Sequence, residues 1–244
     1  PEICAISLCL PPVPRFAAAV AVLRAGRHLM LEKPPGATLS EVHVLRDMAA
    51  AQGLTIFATW HSRMAQGVAA ARDWLAGRAI REGRITWRED IRKWHPGQDW
   101  ILDAGGMGVF DPGILTAILP EPVHLQGADL DVPANRQAPI AARLQLSQGI
   151  TADLDFRQQG PQTWDIRIVT DDGTLVLRNG GNILQIDDRP VTGGDGMMQE
   201  YPALYDRMAR LVRQGASDVD LAPMTLVADA FTSGRRHAVD PFEF

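Results

Sequence analysis

The chain of 244 residues has little cysteine, no excess of positive charge and no long apolar run. Its two cysteines, Cys4 and Cys9, fall on one predicted strand. Their odd separation turns them to opposite faces, and five residues of strand put them ~16 Å apart, so they cannot bridge. A reducing compartment follows, and the first residues lack the positive flank and cleavage site of a signal peptide, which leaves the cytoplasm as the expected location. The formal charge of −5 argues against nucleic acid or an anionic membrane as partner, and makes a neutral substrate more plausible than a polyanion. No stretch supplies the ~20 apolar residues that cross a bilayer. His28, His43, His124 and His237 are scattered without metal-ligand spacing, so no metal site is expected. A G-x-S-x-G nucleophile turn is absent as well.

What is present falls into two textures. Ile3 to Leu10 reads as a strand closed by Pro11-Pro12, and Arg15 to Ala25 as an alanine-rich helix ending at Gly26. His28 to Leu31 is a second strand. A helix capped by Thr38 or Ser40 runs to Gln52 and stops at Gly53. Leu54 to Thr59 is a third strand, and Met64 to Leu75 is helical. This alternation predicts a parallel, helix-covered sheet. After about residue 80, alternating segments take over: Arg84 to Ile91, Arg143 to Phe156, Trp164 to Thr170 and Leu175 to Arg178. Asp171-Asp172-Gly173 and Asn179-Gly180-Gly181 are hairpin-type turns between them. This half reads as an antiparallel sheet with one covered face, closed by helices over Tyr201 to Arg213 and Pro223 to Gly234. The fold class is thus α/β: a partial Rossmann-type parallel sheet in residues 1–63, then residues 64–244 with a large, mostly antiparallel open sheet.

The chemistry concentrates at three places. Leu29 to Leu31 is an apolar strand that ends in Glu32-Lys33 before Pro34-Pro35, so a charged pair sits at the carboxyl end of a strand, where open α/β sheets place ligands. Lysine shifts its proton affinity readily on partial burial and suits proton transfer at a sugar hydroxyl; a solvated turn is the competing reading. Trp60-His61-Ser62-Arg63 follows the third strand at the same edge. Trp60 could lie beside a cofactor, or simply pack a hinge, and His61 could face substrate. From Trp87 to Gly113 the run WREDIRKWHPGQDWILDAGGMGVFDPG carries three tryptophans, a histidine and several carboxylates. Aromatic faces stack on the C–H face of sugars, and carboxylates and imidazole bind hydroxyls. Core packing is the favoured reading of Trp87, and ligand contact that of His95 in its turn. Gly105-Gly106 would let the backbone bend into a pocket. Asp111 is a ligand or an N-cap, and Asp99 and Asp103 are solvated loop charges.

These motifs taken together resemble the Gfo/Idh/MocA oxidoreductases. SLCLPP, MLEKPPGAT, ATWHSR, WREDIRKWHPGQDW, GGMGVFDPGI, EYPALYDRMARL and SDVDLAPMTLVADAF match in order along nearly the whole chain. EKP alone is moderately specific; the EKPPGAT, WHPGQ and GVFDPGI set points to the aldose 1-dehydrogenase branch acting on L-arabinose and D-galactose. The resemblance implies NAD or NADP as cofactor and oxidation of the anomeric carbon of an aldopyranose to a lactone. It assigns Lys33 and Asp111 as catalytic, one accepting the O1 proton while the other holds the hydroxyl. Glu89, Trp94, His95 and, more weakly, His61 are assigned to the sugar, and Pro11, Glu32, Lys33 and Trp60 to the cofactor. The large sheet offers a surface for homo-oligomers.

Two departures bear on activity. No G-x-G-x-x-G turn is present, and the family begins some 55 to 60 residues earlier. The chain is therefore expected to lack the first strands and the pyrophosphate cradle. Where the family has His or Asn one helical turn after Asp111, Leu115 stands here, in a run, ILTAILP, some five residues short. The alternatives are a different sugar or cyclitol dehydrogenase, or a relic that binds sugar or a partner without catalysis.

Overall fold

The computed structural model describes residues 3–103, 110–193 and 200–244. Three parallel strands, β1 (Ala5–Leu8), β2 (His28–Leu31) and β3 (Ile56–Ala58), form a small sheet in that order. Helices α1 (Pro12–Arg24) and α2 (Leu39–Ala51) connect them. Every β2 residue after His28 is buried, because the strand is covered on both faces. Leu29, Leu31 and Ile56 pack with Ala19 and Leu23 of α1 and Leu45 and Ala49 of α2. Met30 and Phe57 point the other way, onto Leu204, Met208 and Leu211 of α6 (Glu200–Gln214).

The second sheet has nine strands in the order β11-β10-β9-β8-β4-β7-β6-β5-β12. They are β4 (Ile80–Arg88), β5 (Leu125–Pro133), β6 (Ala141–Leu146), β7 (Ile150–Asp155), β8 (Thr163–Thr170), β9 (Gly173–Arg178), β10 (Ile183–Ile186), β11 (Arg189–Thr192) and β12 (Arg235–Val239). Pairing is antiparallel except for β4 with β7 and β5 with β12. Alternation decides the faces. Ile85 and Trp87, Ile150, Ala152 and Leu154, and Ile166 and Ile168 enter one core with α3 (Val68–Leu75), α5 (Gly113–Ile118) and α7 (Ala222–Ser233). The opposite face carries charges paired across strands, such as Arg88 with Asp153 and Arg167 with Glu82.

Several boundaries differ from the sequence expectations. β1 is shorter than Ile3 to Leu10, and α1 starts at Pro12, since proline costs nothing at a first helical position. Met64 to Leu75 is not one helix: a 3-10 turn, His61–Met64, precedes α3, and Gly67 separates them, packed so tightly that a Cβ there would meet the Gly181 carbonyl at 2.7 Å. Arg143 to Phe156 is a hairpin, not one run; Gln148 and Gly149 take positive φ between β6 and β7. In Arg84 to Ile91 the strand ends at Arg88, and the Asp90 carboxylate caps α4 (Ile91–Trp94). Thr38, not Ser40, caps α2. Among the described residues no helix is long and apolar enough to cross a membrane.

The α6 stripe makes the small sheet a three-layer unit, so truncating it should be costly. Leu204 is fully buried, and Leu204→Ala should lose about 2–5 kcal/mol of unfolding free energy. Urea denaturation measures this, and a loss below about 1 kcal/mol would show that α6 does not anchor the sheet.

Candidate active site

The two sheets meet at a cleft of about 570 Å³. On the small-sheet side it is lined by Leu10 and Pro12 after β1, by Glu32, Lys33 and Pro34 after β2, and by His61 after β3. This is the carboxyl edge at which parallel sheets bind ligands. One side chain holds these strand ends together. Arg15 lies on the inward stripe of α1 with Pro12, Ala19 and Leu23, and is itself buried. Its guanidinium donates to the carbonyls of Leu10, Glu32 and Pro34, the last two flanking Lys33 in the chain. Burial holds its pKa below the ordinary arginine value, against the opposing pull of Glu32. Beyond Pro34 the loop is tied by a capping pair: Thr38 Oγ1 accepts from Glu41 N at 3.2 Å and Glu41 Oε2 from Ala37 N at 2.9 Å.

The large-sheet side supplies Glu89 just past β4, Trp94 and His95 around the end of α4, and Asp111 just before α5. Glu89 is pushed up by burial, with the Trp87 N–H and the Lys33 charge pulling the other way. His95 is lowered to about 4, first by burial and then by Lys33, so it is a neutral imidazole at neutral pH. Lys33 thus faces both Glu89 and His95 across the cleft. Trp94 stands at the rim, 46% exposed. Asp111 is buried with one oxygen turned to the helix: Oδ1 accepts from Gly113 N at 2.8 Å, and Ser62 Oγ–H reaches Oδ2 at 3.4 Å. A side chain on Gly113 would meet Asp111 Oδ1 at 2.7 Å, so only glycine allows this approach. Asp111 both binds the start of α5 and lines the cleft.

The structure therefore brings together Glu32, Lys33, His61, Glu89, Trp94, His95 and Asp111. It does not bring Trp60 there: the indole is buried in the core and donates to the Asp220 carbonyl at 2.9 Å, which is hinge packing. Pro11 precedes α1 without lining the cleft, and its neighbours Leu10 and Pro12 do. Trp87 stacks on Trp164 at 3.9 Å with Phe156 edge-on, as core, yet one edge reaches the cleft. Its Nε1–H lies by Glu89 without a partner in hydrogen-bond geometry among the described residues. Asp99 and Asp103 are exposed and pair loosely with Arg136. Gly105-Gly106 lie outside the described residues. Leu115 packs in the core. The free thiols Cys4 and Cys9 are unbridged. Among the described residues no group of three His, Cys, Asp or Glu could hold a metal ion.

Sequence reasoning missed Arg15, Trp164, Glu200 and Tyr201, all on the cleft wall. Arg15 left a trace, since it shares the i, i+4, i+8 stripe of α1 with Ala19 and Leu23. Glu200 and Tyr201 left none, because only the return of α6 brings them to the cleft.

The chain has known relatives in sequence and in fold. Residues 1–59 match the Gfo/Idh/MocA model, described as an oxidoreductase family with an NAD-binding Rossmann fold. A galactose 1-dehydrogenase of Pseudomonas fluorescens is 42% identical over 254 residues, covering 99% of this chain and 81% of that protein. The chain belongs to the Gfo/Idh/MocA oxidoreductase family. The crystal structure of D-galactose-1-dehydrogenase from Rhizobium etli superposes with a TM-score of 0.91 at 50% identity, over 98% of this chain and 79% of that one. A 3-ketoreductase from Actinomadura kijaniata, solved with NADP, shares the fold at 19% identity and a TM-score of 0.76, over 96% and 79%.

The lowered His95 pKa has a consequence for stability. The unfolded chain takes up this proton near 6.5 and the folded chain only near 4, so the contribution is complete above pH 6.5 and lost as pH falls through about 4. His95→Gln removes that uptake. Between pH 7 and 4 it should lose about 1–2 kcal/mol less stability than the native chain, allowing for partial exposure. Urea denaturation across this range decides; parallel loss in both proteins would show that His95 is not a buried neutral imidazole.

Proposed function

We propose that this chain is an NAD(P)-dependent aldose 1-dehydrogenase that oxidises the anomeric carbon of D-galactose or L-arabinose to the lactone. The observation that supports it most is the convergence of Lys33, from the small sheet, with Glu89, His95 and Asp111, from the large one, on a single cleft with tryptophan at its rim. The identity to two galactose dehydrogenases favours galactose as substrate. The two free cysteines are in keeping with a cytoplasmic enzyme.

The residues at the strand ends fit the nicotinamide end of the cofactor: the loops after β1 and β2, held by Arg15, leave Glu32 and Lys33 on an open wall. The first turn of α1 does not fit a pyrophosphate, since Pro12 and Pro14 remove two of its free amides. A bound nicotinamide supplies the two-electron acceptor for C1–H.

The chain's own residues do the rest. Both Asp111 oxygens already accept from Gly113 and Ser62, which fixes the carboxylate as a hydroxyl holder. Lys33 Nζ has no hydrogen bond or ion pair among the described residues and lines the cleft, which leaves it open to take the O1 proton while C1–O1 becomes a carbonyl. Glu89 and His95 bind ring hydroxyls, and Trp94 covers the sugar's C–H face.

Lys33→Ala should reduce turnover ~10²-fold or more while cofactor binding persists. Glu89→Gln should raise the Michaelis constant for galactose ~10-fold with little change for the cofactor. Steady-state kinetics with galactose and arabinose tests both. Unchanged turnover in the first variant would remove Lys33 from the mechanism, and equal effects on both constants in the second would remove Glu89 from the sugar.

A further inference from the structure

His61 and Glu200 are 139 positions apart and meet on the cleft wall. His61 opens the 3-10 turn after β3, and Glu200 begins α6. His61 Nδ1 lies 2.8 Å from Glu200 Oε2. Glu200 is only 7% exposed, so this is not a contact that water readily replaces. Tyr201, the next residue of α6, stacks on the imidazole with ring centres 6.1 Å apart and planes inclined by 11°. The Tyr201 phenol is pushed up to about 12 by burial and by the adjacent Glu32 carboxylate. The ring is thus fixed by a carboxylate at one nitrogen and an aromatic face, and it lines the cleft beside Lys33 and His95.

An ionised carboxylate has no proton to give. Nδ1 is therefore the donor in this pair, and in the neutral imidazole Nε2 is then a bare lone pair. Nε2 has no partner among the described residues. A sugar hydroxyl needs an acceptor for its proton, and a ring fixed in one tautomer offers one without rearrangement.

We propose that Glu200 is a positioning residue: by holding Nδ1–H it fixes His61 in the tautomer whose Nε2 accepts a hydroxyl proton from the sugar in the cleft. The substrate part of this rests on the dehydrogenase reading; the tautomer part does not. Glu200 would act on affinity through His61 and never touch the sugar.

The test uses the full chain labelled with ¹⁵N-histidine at pH 8, with the His61 signals assigned by His61→Gln. Two-bond and three-bond proton–nitrogen correlations report which ring nitrogen carries hydrogen. The native chain should show the Nδ1–H tautomer. Glu200→Gln, whose amide oxygen also accepts, should keep it, and Glu200→Ala should revert to the Nε2–H form preferred by a free imidazole. In kinetics, Glu200→Ala should raise the galactose Michaelis constant ~10-fold with turnover changed less than ~3-fold, and Glu200→Gln should recover most of the affinity. An Nε2–H tautomer in the native chain, or the same tautomer in Glu200→Ala, overturns the proposal whatever the activity. Native tautomers behaving as expected in a chain that does not oxidise galactose would instead defeat the dehydrogenase reading and leave the pair standing.

Discussion

Two short strands buried on both faces set the terms for everything at the cleft. Side chains alternate along a strand, so Leu29, Leu31 and Ile56 face α1 and α2, while Met30 and Phe57 must be covered from the other side. That cover comes from α6, far along the chain, with Leu204, Met208 and Leu211 at helical spacing on one stripe. The segment after α6 then completes the job at the sheet edge. Asp218 N–H donates to the Ile56 carbonyl at 3.0 Å, and the Asp218 carbonyl accepts from Ala58 at 2.9 Å, so the edge of β3 is paired. An apolar requirement thus has a polar result, because docking that stripe carries Glu200 and Tyr201 to His61.

Arg15 shows the same economy. A buried guanidinium is costly unless its donors are met, and here carbonyls meet them. Those carbonyls belong to loops that would otherwise leave unpaired backbone oxygens beside a cleft. The charge and the loops satisfy each other, and Lys33 lies between two of the acceptors. The precision of Lys33 therefore comes from a residue that takes no part in the proposed proton transfer.

Much of this was legible in the sequence, for reasons that differ by element. β2 was readable to the residue because an apolar run between Gly26 and two prolines has few other solutions. The α2 start was legible only to within Thr38 or Ser40, and the structure decides for Thr38, whose hydroxyl accepts from the Glu41 amide. The break at Gly67 was hidden, since its cause is the distant Gly181 carbonyl. β5 and β12 were hidden too: their pairing is with each other across a hundred residues, and β12 is short and charged. Among site residues, Lys33, His61 and His95 stood out because charged or polar groups interrupt strand ends and turns, whereas Glu89, inside an expected strand, came from the family resemblance alone. Trp60 sat equally well at a strand end, and only packing against α7's approach at Asp220 shows it to be core.

Asp111 and Leu115 show how a site keeps one half of a motif when the other half is core. The family resemblance places a polar residue one turn after the acid, but α5 is only six residues long and its Leu115 is drawn into the apolar core with Ile114 and Ile118. Asp111 does not depend on it for its own orientation. The Gly113 N–H and the Ser62 hydroxyl hold the two oxygens, and Gly113 admits the approach that makes this geometry available. What the leucine removes is a partner for the sugar hydroxyl, not the placement of the carboxylate. In a cleft that still presents Lys33, Glu89, His95 and His61, that contact can come from another wall, and the wall formed by β3 and α6 already presents a ring nitrogen that has no partner among the described residues.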